Sequence, residues 1–112
     1  MGLSEISNMR LNDRICLITG AARGIGATTA KVFAREGASV ALLDIKDDLG
    51  NAVATEICQS GGIAEFFHCD VTRLDEVEAT VQKVVQRFSG IDALFNNAGT
   101  AIEGSVEKLS EE

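Results

Sequence analysis

Proline, tryptophan and tyrosine are absent from this chain of 112 residues, and five phenylalanines supply its 4% aromatic content. Long apolar runs are also missing. The runs over residues 14–19 and 39–44 are strand-sized, far below the roughly 20 residues that cross a membrane. Charged residues precede the first apolar run, which argues against a secretory signal. We therefore expect no membrane association.

Cysteine is scarce as well. Cys16, Cys58 and Cys69 lack the spacing of a metal site or a redox pair, and an odd number fits a disulfide framework poorly. They are interpreted as reduced thiols of a cytoplasmic protein. We expect no bound metal.

The charge balance is acidic, with 10 basic against 17 acidic residues and a net charge of −7. This balance argues against a nucleic-acid partner, which would select a basic surface. Hydrophobic residues make up 46% and charged residues 24%, which is ordinary globular usage. The length allows one domain at most.

The hydrophobic pattern alternates between strand-like and helix-like segments. Strands are predicted at 14–19, 39–44, 63–68 and 91–95, and helices from the glycine-rich turn to Gly37, at 46–60, and from 72 to about 90. This β-α-β-α-β-α-β order predicts an α/β fold with a doubly wound, Rossmann-type parallel sheet. Residues 1–10 are predicted to be a loose leader, and residues 11–112 the N-terminal part of a single domain.

Helical spacing of apolar residues supports each predicted helix. Ile25, Thr29, Val32 and Phe33 recur at this spacing in the first helix, and Leu49, Val53 and Ile57 do so in the second. Thr72 with Asp75 forms a plausible N-cap for the third helix, whose apolar face is the longest. The residues predicted on that face are Leu74, Val77, Val81, Val84, Val85 and Phe88.

The C-terminal residues predict a longer polypeptide. Residues 110–112 have the pattern of an N-cap followed by first-turn acids, which starts a helix without completing it. The strand at 91–95 would also have an apolar edge without a partner. The alternative is a natural short form whose last residues fray.

Glycines at 20, 24 and 26 follow the first strand and open the first helix. Such a turn lets the backbone approach a pyrophosphate and directs the N–H groups of the helix N-terminus at it. Small residues also serve plain helix–strand packing, but the strand–turn–helix context favours dinucleotide binding. Arg23 within the turn could contact a phosphate or lie in water.

Two aspartates follow the next two strands. Asp44 could accept hydrogen bonds from the ribose hydroxyls of an adenosine, or could cap the helix that follows it. Asp70 could reach the adenine amino group, or could help cap the helix near Thr72. The ribose interpretation is favoured for Asp44, while both remain open for Asp70.

An asparagine-rich loop, Asn96-Asn97-Ala98-Gly99, follows the fourth strand. Because it lies at the same sheet edge, it is predicted to line the same crevice, although Asn-rich turns are also common in ordinary loops. The single histidine, His68, is interpreted as structural, because no nucleophile is placed to use it.

These motifs resemble the short-chain dehydrogenase/reductase family. Residues 19–26 match its Thr-Gly-x-x-x-Gly-x-Gly cofactor signature, Asp70-Val71 its Asp-Val pair, and residues 96–99 its Asn-Asn-Ala-Gly motif. The resemblance implies a sheet in which the third, second, first and fourth strands lie side by side in that order. It also implies hydride transfer between NAD(P) and an alcohol or carbonyl substrate, and a homodimer or homotetramer.

The resemblance assigns cofactor contacts residue by residue. It implies that residues of the glycine turn surround the pyrophosphate, that Asp44 holds the ribose, and that the Asp-Val pair meets adenine. It further implies that the asparagine loop lies along the cofactor, with Asn97 also joining the central strands. The implied contacts are Gly20, Arg23, Gly24, Ile25, Gly26, Asp44, Asp70, Val71, Asn97, Ala98 and Gly99.

The chain departs from the family in one respect. The family's acid/base tyrosine, in a Tyr-x-x-x-Lys pair, cannot be assigned because the sequence has no tyrosine. No catalytic residue is therefore predicted, and the chain is not expected to turn over substrate alone.

The alternative function is a non-catalytic dinucleotide-binding short form acting as a sensor or decoy subunit. A methyltransferase of similar fold would not explain the Asn-Asn-Ala-Gly motif. Two residues disagree on the cofactor: Asp44 would repel the 2′-phosphate of NADP, whereas Arg23 would attract it. We expect the repulsion to prevail and the cofactor to be NAD.

Overall fold

The computed structural model describes residues 10–97. These residues form four strands and three helices in strict alternation. In chain order the elements are β1 (Ile15–Thr19), α1 (Gly24–Arg35), β2 (Ser39–Asp44), α2 (Asp47–Gln59), β3 (Ile63–His68), α3 (Leu74–Phe88) and β4 (Ala93–Asn96). The predicted order of elements is confirmed.

The strands form one parallel sheet with the order β3-β2-β1-β4. Ile15 pairs with Ser39 of β2, and Cys16 pairs with Ala93 of β4. The two central strands are almost wholly buried, which explains their continuous apolar sequences. The order of the four described strands is the one that the resemblance implied.

Helices cover both faces of the sheet, as a doubly wound fold requires. Core residues of α1 and α2 pack on one face against Cys16, Ile18, Val40 and Leu42. Core residues of α3 pack on the other face against Leu17, Ala41 and Leu43. Neighbouring residues of β1 and β2 thus serve opposite cores, because side chains alternate along a strand.

Only part of the predicted face of α1 is buried. Ile25 is 70% exposed and Val32 is 41% exposed, whereas the buried residues are Gly26, Ala27 and Ala30. A Cβ at Gly26 would overlap the carbonyl oxygen of Gly20, so only glycine fits there. This close approach orients the helix so that Ile25 and Val32 are exposed, whereas Phe33 packs against the core of this face.

The other two helices depart from the prediction at single positions. Leu49 is exposed, because the neighbouring Gly50 faces the sheet and contacts the Phe66 ring. In α3, Leu74 and Val85 are exposed, while Val77, Val81 and Val84 are fully buried. Both helices therefore bury most of the apolar residues predicted on one face: Val53 and Ile57 in α2, and the three valines of α3, against which Phe88 also packs.

Several predicted boundaries also shift. β1 begins at Ile15 rather than at residue 14, and β4 spans Ala93–Asn96 rather than 91–95. Asp92, just before β4, also bonds the first residue of β1: its N–H donates to the Ile15 carbonyl at 2.7 Å, and its carboxylate accepts from the Ile15 N–H at 2.8 Å.

The N-terminal end of the described region is attached to α1. The N–H of Arg10 donates to the Glu36 carboxylate at 3.2 Å, and the N–H of Leu11 donates to the Glu36 carbonyl at 2.9 Å. The predicted leader otherwise lies outside the described residues, as do residues 110–112. None of the three helices described has the length and apolar character needed to span a membrane.

Candidate functional site

The glycine turn between β1 and α1 combines two left-handed residues with one close packing contact. Gly20 and Gly24 have φ values of 63° and 62°, a conformation that glycine adopts at no steric cost. A Cβ at Gly26 would lie 2.8 Å from the carbonyl carbon of Gly20, whereas a Cβ at Gly24 would meet nothing. Gly26 is thus required by the turn itself, before any ligand is considered.

The N-terminus of α1 is left without a side-chain cap. Arg23 is its N-cap residue and makes no capping hydrogen bond, and the first turn contains no acidic side chain. The first N–H groups of a helix lack intrahelical acceptors, and the helix dipole adds partial positive charge there. This end of α1 can therefore accept an anionic group such as a phosphate. The exposed Arg23 adds a positive charge beside it.

Asp44 connects the end of β2 to the glycine turn. Its Oδ2 accepts a hydrogen bond from the N–H of Ala22 at 3.1 Å, and its Oδ1 accepts one from the N–H of Lys46 at 3.0 Å. The alternative role as a cap is observed in part, because the N–H that Asp44 Oδ1 accepts belongs to Lys46, the N-cap residue of α2. Each carboxylate oxygen has a further lone pair, so Asp44 can still accept hydrogen bonds from hydroxyl groups.

Asp70 organises the turn that leads into α3. Its Oδ1 accepts from the hydroxyl of Thr72 at 2.6 Å and from the N–H of Thr72 at 3.0 Å. These two bonds lower the pKa of the Asp70 carboxyl below its ordinary value. The predicted Thr72 N-cap is wrong, because Arg73 is the N-cap residue and makes no side-chain capping bond. Thr72 instead supports the preceding turn.

Asn96 and Asn97 are joined to β1 through Thr19. The buried Thr19 hydroxyl donates to Asn96 Oδ1 at 3.0 Å and accepts from the N–H of Asn97 at 2.9 Å. The Asn97 side-chain amide also donates to the Gly20 carbonyl at 3.5 Å. The implied role of Asn97 in joining the central strands is therefore observed. Ala98 and Gly99 lie outside the described residues.

Sequence reasoning did not single out Thr19 as the anchor of this junction. The available signal was a hydroxyl residue at the end of an otherwise apolar, buried strand, where a buried polar group requires hydrogen-bond partners. The backbone N–H of Ala22 was also missed. Its bond to Asp44 joins segments of different strands, and no sequence spacing encodes it.

A groove of about 420 Å³ opens where these elements meet, in the size range of small-molecule sites. It brings together the uncapped helix end, the glycine turn, the carboxylate after β2 and the loop after β4. Its lining residues are Gly20, Arg23, Gly24, Ile25, Asp44, Ile45, Lys46 and Asn97. The groove offers N–H donors for an anion and a carboxylate for hydroxyl groups, which fits a dinucleotide.

Three predicted residues do not line this groove. Gly26 packs beneath the turn, while Asp70 and Val71 follow the adjacent strand β3. The two strand ends nevertheless touch, because the N–H of Cys69 donates to the carbonyl of Asp44 at 3.0 Å. Val71 is half-buried and packs against the α3 core.

His68, at the end of β3, lies between two helix N-termini. Its Nδ1 bonds Asp47 of α2 at 2.5 Å, and its Nε2 lies 4.0 Å from the Glu76 carboxylate of α3. The hydrogen bond to Asp47 raises the pKa of His68 above its ordinary value, and the negative charges of Glu76 and Asp70 act in the same direction. Glu76 in turn accepts the N–H of Asp70 at 2.8 Å.

The cysteines take no part in the groove. Burial raises the pKa of the Cys16 and Cys69 thiols, which keeps them protonated, and all three cysteines are free. Within residues 10–97, no group of histidine, cysteine and acidic side chains is arranged to hold a metal ion.

Known proteins similar to this chain share both its sequence and its fold. Tropinone reductase-like 2 of Erythroxylum coca is 48% identical over 95 residues, which cover 85% of this chain and 33% of that protein. A 7α-hydroxysteroid dehydrogenase solved with NADH and 7-oxo glycochenodeoxycholic acid is 41% identical with a TM-score of 0.80, covering 89% of this chain and 38% of the other. A metagenomic short-chain oxidoreductase solved with NADP is 37% identical with a TM-score of 0.76. The match covers 80% of this chain and 41% of that chain.

The chain therefore spans about a third of the length of the curated relative and about two fifths of these solved chains. The sequence model of the family described as short chain dehydrogenase matches residues 14–112, which is nearly the whole chain. On this match, the chain belongs to the short-chain dehydrogenase/reductase family.

Proposed function

We propose that this chain is the NAD(H)-binding part of an oxidoreductase that transfers a hydride between NAD and an alcohol or carbonyl substrate. The observation that carries the proposal is Asp44, which lies in the groove beside the uncapped N-terminus of α1. The helix end suits the pyrophosphate, and the carboxylate suits the adenosine ribose. When bound, the nicotinamide ring of the cofactor supplies the hydride donor or acceptor.

The preference for NAD over NADP rests on charge in the groove. The 2′-phosphate of NADP would lie close to the Asp44 carboxylate, and like charges 4 Å apart repel by about 1 kcal/mol in water and about 4 kcal/mol at an effective dielectric of 20. Arg23 and Lys46 also line the groove, but both are exposed, and exposed ion pairs contribute only about 0–1 kcal/mol each. Ile45 adds no charge. The similar structures include both NADH and NADP complexes, so the choice depends on these residues.

The Asp44 backbone contacts support this role further. Because its two oxygens are already held by Ala22 and Lys46, the carboxylate is fixed before a ligand arrives. Little conformational entropy is then lost when ribose hydroxyls bind. Asp70 and Val71 are proposed to meet adenine, and Asn97, Ala98 and Gly99 to lie along the cofactor.

No residue of this chain is assigned to catalysis. Proton exchange with the substrate oxygen needs an acid/base group, a contribution of about 10²–10⁴ in rate, and the sequence has no tyrosine to supply it. We infer that these 112 residues alone do not turn over substrate.

The resemblance supports three further proposals for the whole protein. These are a small alcohol or carbonyl substrate, assembly into a homodimer or homotetramer, and a cytoplasmic location. The free thiols, including the exposed Cys58, are compatible with a reducing compartment.

The test is the affinity of the full-length protein for NAD and NADP, measured by calorimetry in the unmodified protein and in Asp44→Ala. We expect NAD to bind more tightly than NADP. We also expect Asp44→Ala to weaken NAD binding by about tenfold to a hundredfold, since hydrogen bonds to a charged group contribute about 1.5–3 kcal/mol. NADP binding should tighten in the same variant.

Asp48→Ala is the matched control, because Asp48 is an exposed carboxylate in the first turn of α2 that does not line the groove. It should leave both affinities unchanged. Tighter binding of NADP than NAD by the unmodified protein would overturn the cofactor choice. Absence of binding to either cofactor would overturn the proposed function.

A further inference from the structure

We propose that His68 is a positioning residue for the adenosine half of the cofactor, because it bridges the first residue of α2 and the first turn of α3 and so holds the two loops that carry Asp44 and Asp70 against each other. The inference rests on the proposed function. His68 is assigned no contact with the cofactor. It acts through Asp47 and Glu76.

The sheet register places His68 beside Asp44. The two residues are paired across β2 and β3, and paired residues of parallel strands direct their side chains to the same face. Beyond this pair the two loops diverge, one toward α2 and the other toward α3. The backbone bond from Cys69 to Asp44 is the last one that the described structure shows between the two loops. Beyond it, the bonds at these loops are made by side chains.

The imidazole supplies that connection from its two nitrogen atoms. Nδ1 bonds Asp47, which is three residues after Asp44, and Nε2 faces Glu76 at 4.0 Å. Glu76 then holds the N–H of Asp70 at 2.8 Å. A continuous chain of contacts thus runs from α2 through His68 and Glu76 to the turn that carries Asp70.

The bridge depends on the charge of the imidazole. Three carboxylates on three different segments face His68, namely Asp47, Asp70 and Glu76. The Nε of Arg73 lies 3.6 Å from Glu76, so Arg73 competes with His68 for that carboxylate. The protonated ring attracts both Asp47 and Glu76. The neutral ring keeps at most one N–H, so it can bond only one of them.

The sign of the pH effect follows from the raised pKa of His68. The protonated bridge is fully formed below the ordinary value of 6.5 and is lost as the pH rises through the higher pKa of the folded protein. Affinity for the adenosine half should fall over the same range. All the side chains involved are partly exposed, so the expected change is about twofold to fivefold, as for other exposed ion pairs.

The experiment measures the affinity of the full-length protein for NAD and for ADP-ribose by calorimetry between pH 5.5 and 9. ADP-ribose contains the adenosine and pyrophosphate but lacks nicotinamide, and neither probe has a phosphate group that titrates in this range. We expect both affinities to fall by the same factor as the pH rises. His68→Gln should abolish this fall in affinity, the pH step, and should bind both probes at every pH with the weaker affinity that the unmodified protein shows at high pH.

Glu76→Gln is the second variant, because glutamine keeps an oxygen for the Asp70 N–H while removing the charge that faces His68. It should also reduce the step, and the double variant should bind no more weakly than His68→Gln alone. Glu65→Gln is the matched control, because Glu65 lies on the same strand as His68 but outside the groove. The substitution breaks the ion pair of Glu65 with Arg87 of α3. Its pH profile should equal that of the unmodified protein.

A pH step that persists in His68→Gln would overturn the positioning role. A pH-independent affinity of the unmodified protein would overturn it as well, while leaving the proposed function intact. If neither NAD nor ADP-ribose bound at any pH, the proposed function would fail and this inference with it.

Discussion

The helices α1 and α3, on opposite faces of the sheet, pack through different kinds of side chain. On one face α1 approaches through Gly26, Ala27 and Ala30, while the neighbouring α2 buries Gly50 and Ala54 together with Val53 and Ile57. On the other face α3 packs through Val77, Val81 and Val84. A glycine or alanine contact lets a helix backbone lie closer to the sheet than a valine contact does. Branched side chains instead fill the space between helix and sheet with apolar volume.

This difference separates the elements that build the groove from those that mainly stabilise the fold. The close approach of α1 places its uncapped N-terminus directly behind the glycine turn and beside Asp44. α3 contributes the core of the opposite face, and only its first turn reaches the site, through Glu76. Substitutions on the two faces should therefore fail for different physical reasons.

The largest effect is expected for Gly26→Ala. In an ordinary helix this change stabilises by about 0.5–1 kcal/mol, but here the new Cβ would overlap the Gly20 carbonyl oxygen, and a backbone atom cannot move aside as a side chain can. We expect the free energy of unfolding to fall by about 3 kcal/mol, measured by urea denaturation with circular dichroism. Gly50→Ala, whose Cβ meets the Phe66 ring instead, should cost less. Unchanged stability in Gly26→Ala would contradict the close approach of α1.

A smaller effect is expected for Val81→Ala on the opposite face. Val81 is fully buried, and removing its two methyl groups loses about 1.6 kcal/mol of transfer free energy together with the cost of a small cavity. The unfolding free energy should fall by about 2 kcal/mol in the same denaturation experiment. Val85→Ala is the control, because Val85 is 38% exposed and its truncation should cost about 0.5 kcal/mol or less. Equal losses in both variants would mean that α3 is rotated from the described orientation.

Gly24→Ala should have a smaller effect again. A Cβ at Gly24 meets no atom, so the cost comes only from the left-handed backbone at φ 62° and is about 1 kcal/mol. Gly24→Asn should cost less, because asparagine tolerates this conformation. Thermal unfolding of the three proteins checks the ranking. A larger loss for Gly24→Ala than for Gly26→Ala would reverse the roles assigned to the two glycines.

The smallest effect concerns the turn before α3 and its dependence on pH. The pKa of Asp70 is lowered in the folded protein by its bonds to Thr72, so its contribution to stability is present above the unfolded value of 3.8 and is lost as the pH falls below it through the folded pKa. Asp70→Asn should therefore be slightly less stable than the unmodified protein at pH 7, with the difference shrinking toward pH 3. Denaturation midpoints at several pH values test this. A difference that grew in acid would show that the ionised carboxylate does not stabilise the turn.

The fold was predictable because each of its signals is local. β1 and β2 are buried on both faces, so their sequences are continuous apolar runs, and glycines follow the helices that separate the strands. The candidate site was predictable in outline for a related reason. Parallel strands gather their carboxyl ends at one edge, so Gly20, Asp44 and Asn97 had to lie near one another once the strands were assigned.

The orientation of the helices was not predictable from the same pattern. Hydrophobicity favoured Ile25 and Val32 as buried residues of α1, yet both are exposed because Gly26 must face the turn. A residue without a side chain contributes nothing to a hydrophobic pattern. Its steric requirement becomes visible only when the Gly20 carbonyl is in place.

The sequence by itself determined the alternation of strands and helices, the family, and the set of residues at the carboxyl edge of the sheet, since all of these depend on local spacing and on chain order. Tertiary structure alone decided which atoms of those residues meet. The bonds from Asp44 to Ala22, from Thr19 to Asn97, and from His68 to Asp47 join segments that are 22, 78 and 21 residues apart. Such contacts depend on the twist and register of the assembled sheet, which bring distant segments within hydrogen-bond distance.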